Sequence, residues 1–175
     1  MNVTLLMAIT INGFVAGQDD DTEWVKDIDA LYKMTAEAGV AIMGKRTYDE
    51  CVKYNAFPYK GALNIVMTHD KTLLTKSTDD VIFTDATPQG ALQLLEQKGF
   101  DHALVIGGGN INGSFLKAGL INEIILDIHP MVMAKGIHLF EGDFPYQQLE
   151  LMSFTKINDD LLQVKYRVKN NYENS

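Results

Sequence analysis

Two segments of this chain set glycines between a strand-like run and a helix-like run, and such a junction can hold an anion. Gly107-Gly108-Gly109-Asn110-Ile111-Asn112-Gly113 follows the continuous apolar run Ala103-Leu104-Val105-Ile106 and opens a helix. Backbone N–H groups at a helix start have no partner within the helix, and the helix dipole favours negative charge there. Missing Cβ atoms also let a diphosphate approach closely. The same glycines would equally serve a tight turn between packed elements, and the third comes one position late for the dinucleotide fingerprint. The second junction, Gly44-Lys45-Arg46-Thr47, sets two cations and a hydroxyl at another helix start. Its plain alternative is a well-capped helix with solvated basic residues. Thr68-His69, ending a further strand, adds a hydroxyl and an imidazole.

Charge makes these cations stand out. The chain has 175 residues, with 15 Lys plus Arg against 23 Asp plus Glu and a net charge of −8. Such a balance argues against nucleic acid or an anionic membrane as partner. A small polyanionic ligand would instead need local positive groups, and Lys45, Arg46 and His69 are the supply. His69, His102, His129 and His138 lack ligand spacing, so no metal site is expected. The single Cys51 excludes an internal disulfide framework and reads as a packed thiol rather than a nucleophile. Trp24 and Tyr32 could stack on a flat ring or simply pack in the core.

The elements that must position these residues alternate along the chain. Val3 to Ile11 reads as a buried first strand, followed by the Asn12-Gly13 turn and a polar loop from Gly17 to Asp21. Ile28, Leu31, Tyr32 and Thr35 give a helix from about Asp27 to Ala38, closed by Gly39. Val40 to Met43 is a short strand, and Thr47-x-x-Glu50 reads as a capping box opening the next helix. Strands are expected at Leu63 to Thr68, Val81 to Thr84, Ala103 to Ile106 and Glu123 to Ile128. Thr87, Pro88 and Gly99 bracket a helix with Ala91, Leu92 and Leu95 inward, and a short helix runs from the glycines to about Ala118. Leu149 to Ile157 and Leu161 to Val168 flank Asn158-Asp159-Asp160 as a β-hairpin.

The expected fold class is therefore α/β in three layers: a mixed, mostly parallel β-sheet flanked by helices, with a C-terminal antiparallel hairpin. A single domain over residues 1–170 is expected, with 171–175 a frayed C-terminus. The apolar start has no basic flank or cleavage site, and no apolar run is long enough to span a membrane. A cytoplasmic protein is expected.

Three groups of residues resemble the dihydrofolate reductase superfamily: Ala8-Ile9 with Gly13 to Gly17, then Ile42-Met43-Gly44-Lys45-Arg46-Thr47-Tyr48, then Ile106-Gly107-Gly108-Gly109-Asn110. Leu116 to Glu123 and Pro130 to Phe140 are similar to one branch of it, the stand-alone proteins resembling the reductase domain of the bifunctional riboflavin-biosynthesis deaminase/reductase. The resemblance runs over nearly the whole chain and implies a dihydrofolate reductase-like fold and an NADPH-dependent oxidoreductase. It implies that Gly44, Lys45, Arg46 and Thr47 hold the phosphate end of the cofactor, and that Thr68 and His69 reach its 2′-phosphate. Ile106, Gly107, Gly108, Gly109, Asn110 and Ile111 would pack under the diphosphate and nicotinamide ribose. Ala8, Ile9, Ala16 and Gly17 would line the nicotinamide side. The branch also implies a possible homodimer, C2 pairs being the commonest oligomer.

Reducing a C=N or C=O bond requires a proton at the neighbouring atom, and a carboxyl group in an apolar pocket can hold it. Asp19, Asp20, Asp21, Glu23, Asp27 and Asp29 are the nearby acids, most of them expected to form a solvated loop. By the resemblance Asp29, five residues after Trp24, is the catalytic and substrate-binding carboxylate, with Trp24 and Tyr32 beside the substrate. A pairing of Asp29 with Lys33 one turn on is the plain alternative. Asp127 is a second site carboxylate in the implied fold. The substrate implied is a small nitrogen heterocycle resembling 5-amino-6-(5-phosphoribosylamino)uracil. The alternatives are a pterin, as in dihydrofolate reductases, or a nucleotide-binding module without efficient catalysis.

Overall fold

The protein is described here by a computed structural model that covers residues 1–26 and 28–169. Asp27, where the first helix was expected to begin, and the expected frayed end at 171–175 lie outside the described residues.

One eight-stranded sheet carries the fold, in the order β5-β4-β3-β6-β1-β7-β10-β9. Its parallel part comprises β1 (Asn2–Thr10), β3 (Val40–Gly44), β4 (Leu63–Met67), β5 (Val81–Thr84), β6 (His102–Val105) and β7 (Glu123–His129). The C-terminal hairpin, β9 (Leu149–Lys156) and β10 (Leu162–Val168), adds antiparallel to β7. Strand residues alternate between faces, so the apolar runs feed two cores. Val3, Leu5, Val40, Ile42, Ile65 and Val105 lie on one face with Leu92, Leu95, Phe115 and Leu116. Those four partners come from α4 (Pro88–Gln97) and α5 (Gly109–Lys117). Leu6, Ala41, Met43, Val66 and Leu104 form the opposite core with Ala38, Cys51 and Leu73. These come from α1 (Asp29–Ala38), α2 (Lys45–Lys53) and α3 (Lys71–Leu74). The expected three-layer arrangement is thereby observed.

Local chemistry explains the element ends. Thr87 Oγ1 accepts from the Gly90 N–H at 3.2 Å with Pro88 at the first turn, as the sequence predicts. Gly39 ends α1 at φ +71, its N–H reaching Thr35 O. The Thr47-x-x-Glu50 capping box, by contrast, is not formed. The Gly44 N–H donates to Gly107 O at 2.9 Å, and α2 starts at once at Lys45 with no side-chain cap. Thr47 therefore sits inside the first turn, near the Gly107–Gly108 backbone. Three short elements escaped the sequence reading: β2 (Phe14–Ala16), β8 (Ile137–His138) and α3. The first two pair only with each other, and α3 is held by Asp70, which accepts from the Thr72 and Leu73 N–H groups. Sequence periodicity is uninformative over two to four residues.

Candidate functional site

A cavity of about 900 Å³ opens at the carboxyl ends of β3, β4 and β6, where ligands of open α/β sheets gather. Both glycine junctions reach it. Neither Gly44 nor Gly108, the residues preceding α2 and α5, supplies a side-chain cap, whereas Asp70 and Thr87 close α3 and α4. The first N–H groups of two nine-residue helices are thus left without side-chain partners beside one cavity. Close approach holds these starts together. A Cβ on Gly44 would stand 2.8 Å from Ile111 Cγ1, and Gly107 takes φ +108, which favours glycine.

The remaining glycines of the second junction serve packing. A Cβ on Gly109 would collide with His138 O, and one on Gly113 with Glu141 O. Through these two positions, one helical turn apart, the 138–141 segment lies directly against α5, with Glu141 N–H donating to Gly109 O at 3.0 Å. The late third glycine answers this contact rather than a phosphate.

Of the residues predicted from sequence, Ala8, Ala16, Gly44, Lys45, Arg46 and Thr47 line the cavity. So do Thr68, His69, Ile106, Gly108, Gly109, Asn110, Ile111 and Tyr32. Ile9, Gly17, Gly107, Trp24 and Asp29 are not brought to it. Ile9, the residue after Ala8 on β1, is buried instead. Gly17 closes a loop through its N–H to Asp21 O at 2.8 Å, and Gly107 spends its carbonyl on Gly44. The Trp24 indole N–H donates to Asp21 O, and its ring meets His129 edge-on at 5.2 Å, bracing a lining residue. Asp29 is the exposed first residue of α1. Lys33, its expected partner, reaches Glu37 at 3.8 Å instead.

The expected cations are present but engaged. Lys45 Nζ lies 2.6 Å from Asp49, a contact that raises its pKa, and Arg46 pairs with Asp20 at 2.6 Å. Asp20 and Glu23, named among the acids most of which were expected to form a solvated loop, line the cavity too, and so do Lys26, Glu50, Asp70, His129 and Glu141, to which the sequence assigned no site role. Asp127, the second carboxylate, does line the cavity. It sits on β7 opposite Ala8, half-buried, and accepts from Gln163 Nε2 at 2.8 Å. Burial pushes its carboxyl above the ordinary value, against the opposing effects of Gln163 and His129. Its signal in the sequence was its place three residues after the buried Ile124, on the opposite face of the strand. Cys51 Sγ lies 3.5 Å from Tyr59 Oη, and burial raises both groups, so the thiol stays protonated as a packing group. Among the described residues no group of His, Cys, Asp and Glu could hold a metal, and no helix is long and apolar enough to cross a membrane.

The profile of the RibD C-terminal domain matches residues 1–163. The chain belongs to the RibD C-terminal domain family. That family is the reductase domain of riboflavin biosynthesis, which gives the protein a reductase-like role of that pathway's type. The chain is 23% identical over 142 residues to the uncharacterized protein YwjB of Bacillus subtilis, covering 78% of this chain and 80% of that one. It is 21% identical to YyaP of the same organism, covering 94% and 93% of the two chains. A putative riboflavin biosynthesis protein from Shewanella sp. PV-4 shares the fold at TM-score 0.84 and 21% identity, over 97% of this chain and 100% of that one. The Thermotoga maritima deaminase/5-amino-6-(5-phosphoribosylamino)uracil reductase matches at TM-score 0.76 and 17% identity. There the match covers 96% of this chain and 56% of that one.

Proposed function

We propose that this RibD C-terminal domain protein is an NADPH-dependent reductase of a small nitrogen heterocycle. One observation carries the reading: the side-chain-uncapped starts of α2 and α5 open on the same cavity. Backbone N–H groups in that arrangement suit a diphosphate, and the Cβ-free contact at Gly44 brings the two starts together. Gly44 to Thr47 and Gly108 to Ile111 would hold the diphosphate, Thr68 and His69 the 2′-phosphate end, and Ala8 and Ala16 the nicotinamide side. Bound there, NADPH would supply the hydride for the reduction. Asp127 holds the proton that must reach the adjacent ring atom, because its partly buried carboxyl keeps that proton to higher pH than an exposed one. Gln163 fixes the orientation of that carboxyl from the neighbouring strand.

Thermal melting with and without NADPH tests the binding half, since a ligand taken only by the folded chain raises the midpoint. NADPH is expected to raise it more than NADH; no rise at saturation rejects the reading. In the catalytic half, Asp127→Asn is expected to lose turnover and keep the NADPH shift. Equal turnover in that variant would move the acid elsewhere. A nucleotide-binding module without efficient catalysis would give the melting shift in both forms and turnover in neither.

A further inference from the structure

The tripeptide Ile-Asn-Gly occurs twice, at 11–13 and at 111–113, and the fold treats the two copies oppositely. Asn112 is buried inside α5, with its Nδ2 donating to Leu139 O at 2.8 Å. Gly113 beside it has no free space, since Glu141 O stands where a Cβ would be. Asn12 is exposed in the turn between β1 and β2, and nothing lies within 4 Å of the Cβ position of Gly13. The Asn12 amide clamps two loops together. Its Nδ2 donates to Met133 O at 2.7 Å, and its Oδ1 accepts from Met133 N–H at 3.2 Å and from Thr10 Oγ1 at 3.0 Å. The pairing of β2 with β8 continues that seam, and there is no room for a Cβ between Gly136 and Ala16 O.

We propose that Asn12 is a site of spontaneous deamidation, and that its conversion loosens the seam between β2 and the 131–138 segment. Gly13 N gives up its proton and attacks the side-chain carbonyl carbon of Asn12. The Cγ–Nδ2 bond breaks, and the departing amide takes up a proton to leave as ammonia. Water then opens the resulting succinimide at either carbonyl, giving aspartate or, with the chain rerouted through the side chain, isoaspartate. No electrons are exchanged. Glycine after the asparagine favours the attack because no Cβ obstructs the incoming nitrogen. In the closed clamp the Gly13 N–H is held by Thr10 O at 3.0 Å, so the reaction runs from the open state. That opening is local. Asn12 and the facing Met131, Val132, Ala134 and Lys135 are exposed, so water replaces the clamp's hydrogen bonds as they part. At Asn112 the same attack requires unwinding α5 and parting it from Glu141. The product does not restore the clamp. A carboxylate accepts but cannot donate, so Met133 O loses its donor and faces a negative oxygen instead.

The test incubates the full folded chain at mildly alkaline pH beside a urea-unfolded sample, and maps both tripeptides by mass spectrometry with enzymatic detection of isoaspartate. In urea the two copies are expected to convert within threefold of each other. In the folded chain Asn12 is expected to convert at least tenfold faster than Asn112. Thr10→Val removes the hydroxyl that holds Oδ1 and is expected to speed Asn12 at least threefold, whereas Thr10→Ser keeps the wild-type rate. Equal folded-state rates at the two sites overturn the proposal, and so does conversion at neither while the urea sample converts fully. Trypsin reads the seam through its cut after the exposed Lys135, taken relative to the cut after the exposed Lys98 at the end of α4. Asn12→Asp, which carries the deamidated side chain on a normal backbone, is expected to raise that ratio at least threefold; an unchanged ratio rejects the loosening.

Discussion

Gly44→Ala probes whether the two helix starts work as one anion site. The new Cβ would stand 2.8 Å from Ile111 Cγ1 and 3.9 Å from Gly107 O. Ile111 is in the first turn of α5, and its Cγ1 is the inner part of a branched side chain, so α5 must move away from α2 or Ile111 must turn into the cavity. Either response spoils the shared N–H cradle. A helix start in a partly buried site contributes about 1–2 kcal/mol toward an anion. Disengaging one of the two should weaken NADPH binding roughly five- to thirtyfold. Overpacking alone costs about 1–3 kcal/mol of stability. In a domain of this size each kcal/mol lowers the melting midpoint by about 2–4 °C. Stability loss must therefore be separated from binding loss. Gly99→Ala provides the comparison: Gly99 has φ +86 with nothing within 4 Å of its Cβ position, so alanine there adds backbone strain far from the cavity. Calorimetric titration of NADPH into both variants, beside their melting curves, decides the matter. Equal NADPH affinity in Gly44→Ala and Gly99→Ala at comparable midpoints would refute the paired-start argument.

Three further perturbations test other parts of the site. Asp127 has a folded pKa above its unfolded one, so the folded chain holds this proton more tightly, and its contribution to stability declines as pH rises from about 4 through the raised value. Urea melts across that window should show wild type losing stability relative to Asp127→Asn, and turnover that uses the protonated form should fall in the same direction; a reversed sign rejects the assignment. Asp20→Asn frees Arg46 from its 2.6 Å partner and is expected to tighten NADPH binding roughly two- to fivefold, within the ordinary size of an exposed ion pair; weaker binding by fluorescence titration would show that the pair instead positions Arg46. Every residue of β9 is exposed, including Phe154 at 71% and Leu151 at 55%, and we propose this edge as the contact of a homodimer. Phe154→Asp is then expected to give a monomer by light scattering, and an unchanged mass would reject β9 as the contact.

Much of this architecture was readable in the residues because it rests on local signals. The β/α alternation, the Thr87-Pro88 start, the Gly39 stop and the terminal hairpin each follow from a few neighbours in sequence. The misplaced start of α2 shows the limit. Thr47 and Glu50 have the spacing of a capping box, but the Gly44–Gly107 hydrogen bond begins the helix three residues earlier, and Gly107 is distant in sequence. The acid followed the same rule. Asp29 was favoured by its spacing from Trp24, yet that spacing places it on the solvent side of the α1 start. Asp127 looks unremarkable within its own strand. It reaches the cavity only because β1 and β7 pair with Ala8 opposite Asp127 and no helix covers that stretch of the face.

Charge shows most plainly where backbone geometry overrides composition. A chain of net charge −8 was expected to bind a polyanion through Lys45, Arg46 and His69. In the folded molecule Lys45 and Arg46 each face a carboxylate at 2.6 Å, so little of their charge is uncommitted. The open N–H groups of α2 and α5 are not subject to that cancellation: they are dipoles fixed by the fold, and no side chain caps them. Acidic side chains can then be numerous elsewhere in the same cavity. Glu23, Glu50 and Asp127 line it, so an anion bound there would be held by backbone dipoles and not by net side-chain charge.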